Sequence, residues 1–158
     1  MPMKIVILED DPRRTEVMRD RLADRFNQFE HIFFDSSNEM IDYLKAHLDN
    51  VIALSLDHDL ILKVDDAGNT YDPGTGRDVA DYLATLRPLF PVIIHTTNHF
   101  GAVGMVSVLE EAGWQTCRVS PFGDLEWVHE SWFPAIRRAI LRYGTTGSTG
   151  NRRHEPEK

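Results

Sequence analysis

The stretch KIVILEDDPRR (residues 4–14) decides how the rest of the chain is read. KIVIL carries four apolar residues in a row with no polar alternation, the pattern of a strand buried on both faces. It runs directly into Glu9, Asp10 and Asp11. Asp11-Pro12 then supplies a helix N-cap followed by a proline at the first helical position, where its missing N–H costs nothing. Val17, Met18, Leu22 and Phe26 recur behind it at helical spacing. A buried strand, an acidic turn and a helix therefore follow one another. The tip of the strand holds more negative charge than a turn needs.

The same unit repeats along the chain. HIFF (31–34) reads as a second strand, and Ser36 with Glu39 forms a capping-box pattern ahead of Met40, Ile41, Leu44 and Leu48. VIALSL (51–56) is a third apolar run, and it too ends in acid, at Asp57-His58-Asp59. The polar stretch 62–76, rich in Gly, Asp and Pro, sits where an active-site loop would sit. RDVADYLATL (77–86) reads as the third helix, PVIIHT (91–96) as the fourth strand, and VGMVSVLEEAG (103–113) as a helix stopped by Gly113. TCRV (116–119) is the fifth strand, and a last helix is expected over 131–143 with Pro134 in its first turn. Residues 144–158 have no apolar anchor and are expected to form a disordered tail after a single domain spanning 1–143.

Strands apolar on both faces, alternating with helices, predict an α/β fold with a five-stranded parallel sheet covered on each side. The expected architecture is flavodoxin-like and doubly wound, with strand order 2-1-3-4-5 and a site beyond the carboxyl ends of the strands. In that order the first, third and fourth strands are neighbours. Glu9 and Asp10, Asp57 to Asp59, and His95 to Asn98 then border one crevice.

Composition narrows the function classes. The 158 residues suffice for one core, and 42% hydrophobic with 27% charged residues is ordinary for a globular protein. A formal net charge of −8 argues against extended duplex nucleic-acid binding and membrane adhesion, which need a basic surface. The single Cys117 excludes an internal disulfide, fits a reducing compartment, and reads as a buried structural thiol in its strand rather than a nucleophile. No signal peptide or membrane-length apolar run is visible, so a cytoplasmic location is expected.

Carboxylates pushed together repel, and each is driven toward protonation unless a cation neutralises them. A hard divalent cation prefers oxygen ligands and keeps waters for a phosphate. Glu9, Asp10 and Asp57 therefore read as a site for Mg²⁺ or Mn²⁺, while Asp11 reads as the helix cap.

With these residues in hand, the chain resembles the receiver domain of two-component response regulators. IVILEDDPRR, LSLDHDL, PVIIHTT and VSPF fall in that family's order and spacing over about residues 3–143. The resemblance implies that Glu9 and Asp10 are the acidic pair, Asp57 the phosphoryl acceptor, and Thr96 the hydroxyl after the fourth strand. It also implies a lysine before Pro121, where this chain has Ser120. Arg77 and Arg118 are the candidates for the missing cation. The loop after the third strand is longer than in a usual receiver, and His58, Asp59, His95 and Asn98 lie outside the standard pattern.

LDHDL (56–60), GTGRDVADYL (74–83) and HTTN (95–98) resemble instead the cyclic-phosphate-processing receiver-like family. That resemblance implies a metal-dependent phosphoesterase acting on cyclic phosphates of nucleotides or RNA ends. Opening such a ring needs a base for water, an acid for the leaving oxygen and stabilisation of the phosphoryl charge. His58 and His95 are the acid and base candidates, with Asp57, Asp59, Thr96 and Asn98 completing the set. The alternative is an atypical single-domain receiver, phosphorylated on Asp57 or only binding partners.

Other patterns carry less. HTT (95–97) and HES (129–131) match a histidine-x-hydroxyl pair, which seven histidines produce by chance. PGTGR (73–77) lacks a P-loop's lysine and reads as the start of a helix. Trp114, Trp127, Trp132, Phe122 and Phe133 read as packing around the last strand and helix, with a dimer or partner face as the lesser reading. The expected partner is a phosphate-containing small molecule or an RNA end.

Overall fold

The structure, a computed structural model, describes residues 2–150, with side chains described to 143. Its elements in chain order begin with β1 (Lys4–Leu8), α1 (Pro12–Arg25), β2 (Glu30–Phe34), α2 (Ser37–His47) and β3 (Val51–Leu56). Then come β4 (Lys63–Val64), β5 (Thr70–Tyr71), α3 (Gly76–Ala84), β6 (Val92–His95), α4 (His99–Glu111), β7 (Thr116–Val119) and α5 (Phe133–Gly150). The main sheet runs β2-β1-β3-β6-β7 with every pairing parallel. With the small β4–β5 hairpin set aside, this is the expected 2-1-3-4-5 order.

Alternation along β1 explains why both sides are covered. Val6 and Leu8 join Met40, Leu44, Val79 and Met105 in a core beneath α2, α3 and α4. Ile5 and Ile7 join Met18, Leu22, Trp127 and Ile136 in a second core beneath α1 and α5. Successive side chains point to opposite faces, so a strand buried on both must be apolar throughout. The caps form where the sequence places them: Asp11 accepts from the Arg13 N–H at 2.9 Å, and Ser36 from the Glu39 N–H at 3.5 Å.

Four details differ from expectation. Helix α4 starts at His99 rather than 103, because the Asn98 side chain accepts the Gly101 N–H at 2.8 Å and caps it. The stretch 62–76 holds the antiparallel β4–β5 hairpin, whose turn is organised by Asp65 accepting the N–H groups of Ala67 and Asn69 at 3.0 and 2.8 Å. Lys63 ties this hairpin to Asp35 at 2.7 Å. Cys117 is half-buried rather than buried. Among the aromatics, Trp114, Trp127, Trp132 and Phe133 are core residues, whereas Phe122 is 54% exposed in the loop after β7.

A turn of π type, Val128–Trp132, leads into α5. The last helix, expected over 131–143, runs instead over Phe133–Gly150 and so takes in the first residues of the tail expected at 144–158; side chains from 144, and the whole structure from 151, lie outside those described. No helix among the described residues is long and apolar enough to cross a membrane.

Candidate functional site

Three strands deliver the floor of the site. Glu9 follows β1, Asp57 follows β3, and His95 ends β6, and all three are buried at the carboxyl edge of the sheet. Glu9, Asp10 and Asp57 each present a carboxylate oxygen, and these atoms lie within 4.8 Å of one another. Burial pushes the Glu9 carboxyl up to about 7. Burial pushes Asp57 up to about 7 as well, with the neighbouring Glu9 charge adding to it. Water would solvate a pair of exposed acids, but here protons or a cation must take that role. An all-oxygen donor set with two acids in this state suits a hard divalent cation.

His95 forms the back wall. Its ring is fully buried, and burial pulls it down to about 4, so the imidazole is neutral at ordinary pH. Trp132 Nε1–H donates to the Ser55 hydroxyl at 3.0 Å, and that hydroxyl lies 2.6 Å from His95 Nδ1. Ser55 has one proton to give, and Nδ1 is the acceptor in front of it. The proton of the neutral ring then sits on Nε2, facing the Glu9 carboxylate at 3.4 Å. The relay Trp132–Ser55–His95–Glu9 holds Glu9 from behind.

The rim is different. His58 is half-buried, and its Nδ1 lies 2.9 Å from Asp59 Oδ1. Asn98 Nδ2 donates to the other oxygen of Asp59 at 3.0 Å. The hydrogen bond from His58, with that from Asn98, keeps the Asp59 carboxyl below its ordinary range and therefore ionised. The His58 ring packs flat onto the first turn of α4, where a Cβ on Gly101 would come within 2.6 Å of His58 Cγ. Glycine at 101 is what lets the ring lie there. Gly76 has a related role, since a Cβ there would strike the Asp57 carbonyl oxygen. The Gly-rich segment thus serves close packing and the start of a helix, with Asp78 accepting the Thr75 N–H at 2.9 Å.

Floor and rim meet at an open crevice of about 540 Å³, bordered by Asp10, Arg14, Asp57, Asp59, Ile61 and Thr96. The structure therefore brings Glu9, Asp10, Asp57, His58, Asp59, Thr96 and Asn98 together, as their strand-end positions led us to expect. His95 joins them from behind, closed off from the crevice. Thr96 is buried and its hydroxyl accepts the Asn98 N–H at 3.1 Å.

Neither candidate for the missing cation reaches the crevice. Arg77 pairs with Asp81 at 2.7 Å, and Arg118 hydrogen-bonds His99 at 3.0 Å. Ser120 is exposed. The cation that does line the crevice is Arg14, which sequence reasoning passed over. It lies 3.3 Å from Glu9, and its guanidinium sits over the Trp127 ring at 5.3 Å. Its place early in α1, one turn after the acidic pair, was the available signal. The aromatic platform under it comes from the far end of the chain.

Residues 5–111 match the family described as the cyclic-phosphate processing receiver domain. No curated protein matches the chain in sequence. Among solved structures, the phosphorylated cyanobacterial phytochrome response regulator RcpA is similar with a TM-score of 0.60 at 15% identity, over 90% of this chain and 92% of that one. A response regulator receiver domain from Rhodospirillum rubrum is similar with a TM-score of 0.57 at 19% identity, over 90% and 94%. The Mn²⁺-bound form of response regulator Rcp1 is similar with a TM-score of 0.59 at 18% identity, over 82% and 88%. At such identities the likeness establishes the receiver fold.

Proposed function

The chain belongs to the cyclic-phosphate processing receiver domain family, and from that premise we propose that it is a divalent-metal-dependent phosphoesterase opening cyclic phosphates of nucleotides or RNA ends. The observation that carries this reading is the His58–Asp59–Asn98 cluster, which a phospho-accepting receiver does not need, standing beside the acidic trio.

Hydrolysis adds water across one P–O bond of the ring. The water oxygen bonds to phosphorus, and the departing ester oxygen takes a proton. In this reading His58, held beside the crevice-lining Asp59, removes the proton from water and returns it to that leaving oxygen. Asp59 orients the ring through Nδ1 and leaves Nε2 as the working atom. Glu9, Asp10 and Asp57 would hold Mg²⁺ or Mn²⁺, which when bound polarises phosphoryl oxygens and neutralises the carboxylates. Arg14 adds a fixed positive charge to a crevice in a chain that has Ser120 at the position of the receiver lysine. Full burial favours a positioning role for His95, which orients Glu9 and keeps water from its back.

A second reading has its own support. Asp57 follows β3 and lies beside Glu9, Asp10 and Thr96, as a phosphoryl acceptor would, and two similar receivers are described as phosphorylated and as Mn²⁺-bound. One experiment separates the two. The protein is incubated with Mg²⁺ or Mn²⁺ and a panel of 2′,3′-cyclic nucleotides and RNA bearing a cyclic phosphate end, and in parallel with a small phosphodonor. We expect ring opening and no lasting aspartyl phosphate by intact mass. No turnover across the panel, with a stable adduct lost in Asp57→Asn, would return the protein to the signalling class.

A further inference from the structure

On the opposite end of α1 from the acidic crevice lies a second polar cavity, of about 370 Å³, lined by Arg21, Arg25, Phe26, Phe133 and Arg137. Guanidinium groups stay protonated at all ordinary pH, so three of them on one cavity repel unless something negative sits among them. The cavity lining contains no carboxylate. Asp24 alone serves two of the arginines from outside it, 3.9 Å from Arg21 Nη1 and 3.3 Å from Arg25 Nε. Arg137 is exposed and has no ion pair among the described residues. The local surplus is two positive charges, in a chain whose net charge is −8.

Arg21 is the unusual member. Its guanidinium is held over the Phe133 ring at 4.7 Å, and its Nε–H is buried without a hydrogen-bond partner. A buried donor left unpaired is costly, and charged donors more so. A stacked guanidinium with a free N–H edge has lost its side-chain freedom already, which lowers the cost of capturing an anion.

We propose that this α1–α5 cavity is a binding site for a phosphate monoester dianion, separate from the acidic crevice and independent of the reaction proposed there. A terminal phosphate carries about −1.5 to −2 charges near neutral pH, which matches the local surplus, and its oxygens fit the guanidinium fork. A single carboxylate or a backbone phosphodiester would neutralise only half of it. The monoester can come from a free nucleotide or from the phosphorylated end of an RNA.

The test uses the full chain in EDTA, so that the acidic trio contributes no metal-mediated binding. Adenosine 5′-monophosphate and a 5′-phosphorylated RNA oligonucleotide are titrated by calorimetry at low salt, against Arg21→Gln, Arg137→Gln, Arg77→Gln and Asp57→Asn. We expect binding that Arg21→Gln and Arg137→Gln each weaken about tenfold, the scale of one lost charge-assisted hydrogen-bonded pair. Arg77→Gln and Asp57→Asn should leave it unchanged. Arg137 is exposed, so its variant keeps the fold even if Arg21→Gln does not. Binding of the mononucleotide assigns the site to free phosphates. Binding of the RNA alone, lost on removing its terminal phosphate, assigns it to nucleic-acid ends. No binding of either probe, equal loss in Arg77→Gln, or a preference for a glutamate-rich peptide would overturn the proposal.

Discussion

The floor and the rim of the crevice each contain one histidine at a strand end, and burial gives the two different properties. His95 is fully enclosed among Trp127, Trp132, Ser55 and Glu9, and burial lowers it to about 4. His58 keeps an edge in solvent, 18% of its side chain, and leans on an ionised Asp59. Full enclosure suits the dry histidine to holding a neighbour in place, whereas we propose the wet one as the group that exchanges protons with a substrate. Residue type and position along a strand do not separate these two roles; the packing behind each does.

The largest expected effect tests that division directly. His58→Ala should lower the rate of cyclic-phosphate opening about 10²–10⁴-fold, the usual contribution of a positioned acid or base. Thermal stability should fall less than in His95→Ala, because the His58 ring keeps an edge in solvent while His95 is fully enclosed. Gly101→Ala should lower the rate as well, by displacing the ring while leaving it in the protein. If His58→Ala keeps full activity, the rim has no catalytic role.

His95→Ala should cost about 3 kcal/mol of folding stability, from the cavity it opens and the hydrogen bonds it strands at Ser55 and Glu9. Denaturant unfolding measures this. A variant that folds normally yet loses as much rate as His58→Ala would break the comparison, and would restore His95 as an acid or base.

Asp57→Asn should weaken Mg²⁺ or Mn²⁺ binding more than tenfold by calorimetry, and should raise the melting temperature of the metal-free protein by removing one of the clustered charges. Unchanged affinity in this variant and in Asp10→Asn would remove the metal from the floor.

The smallest effect is the pH dependence. Glu9 and Asp57 stand at about 7 in the fold, against ordinary values of 4.5 and 3.8, so the folded state binds more protons than the unfolded one between about 4 and 7. Their contribution to stability is complete below that window and is lost as pH rises through it. His95, lowered from 6.5 to about 4, acts in the opposite sense over the same range, but it is one group against two. Metal-free stability should therefore fall from pH 5 to pH 8, and Mg²⁺ should restore more at pH 8 than at pH 5. Urea unfolding in EDTA and in Mg²⁺ at both values checks this; a metal effect that is larger at pH 5 would contradict the buried-acid reading of the floor.

Much of this site was legible because strand ends are marked twice, by an unbroken apolar run and by the charge that stops it. Glu9, Asp57 and His95 each follow such a run, and the sheet order made them neighbours. Asn98 was read only as a member of the catalytic set, yet it also caps α4, whose start was hidden by the polar residues Asn98 and His99. The β4–β5 hairpin was hidden for a similar reason: strands of two residues leave no periodicity to read. Arg14 was missed because what positions it is Trp127, a contact between α1 and the segment before α5 that no local pattern announces.

The amino-acid sequence alone determined the doubly wound sheet, the order of its strands and the gathering of carboxylates at one edge, since two-sided burial and strand-end charge are properties of short segments. Tertiary structure decided which histidine is dry, which arginine faces the crevice, and that three arginines of α1 and α5 share a cavity away from it. Those outcomes depend on desolvation and on contacts between residues distant in the chain, and both come into being only when the helices close over the sheet.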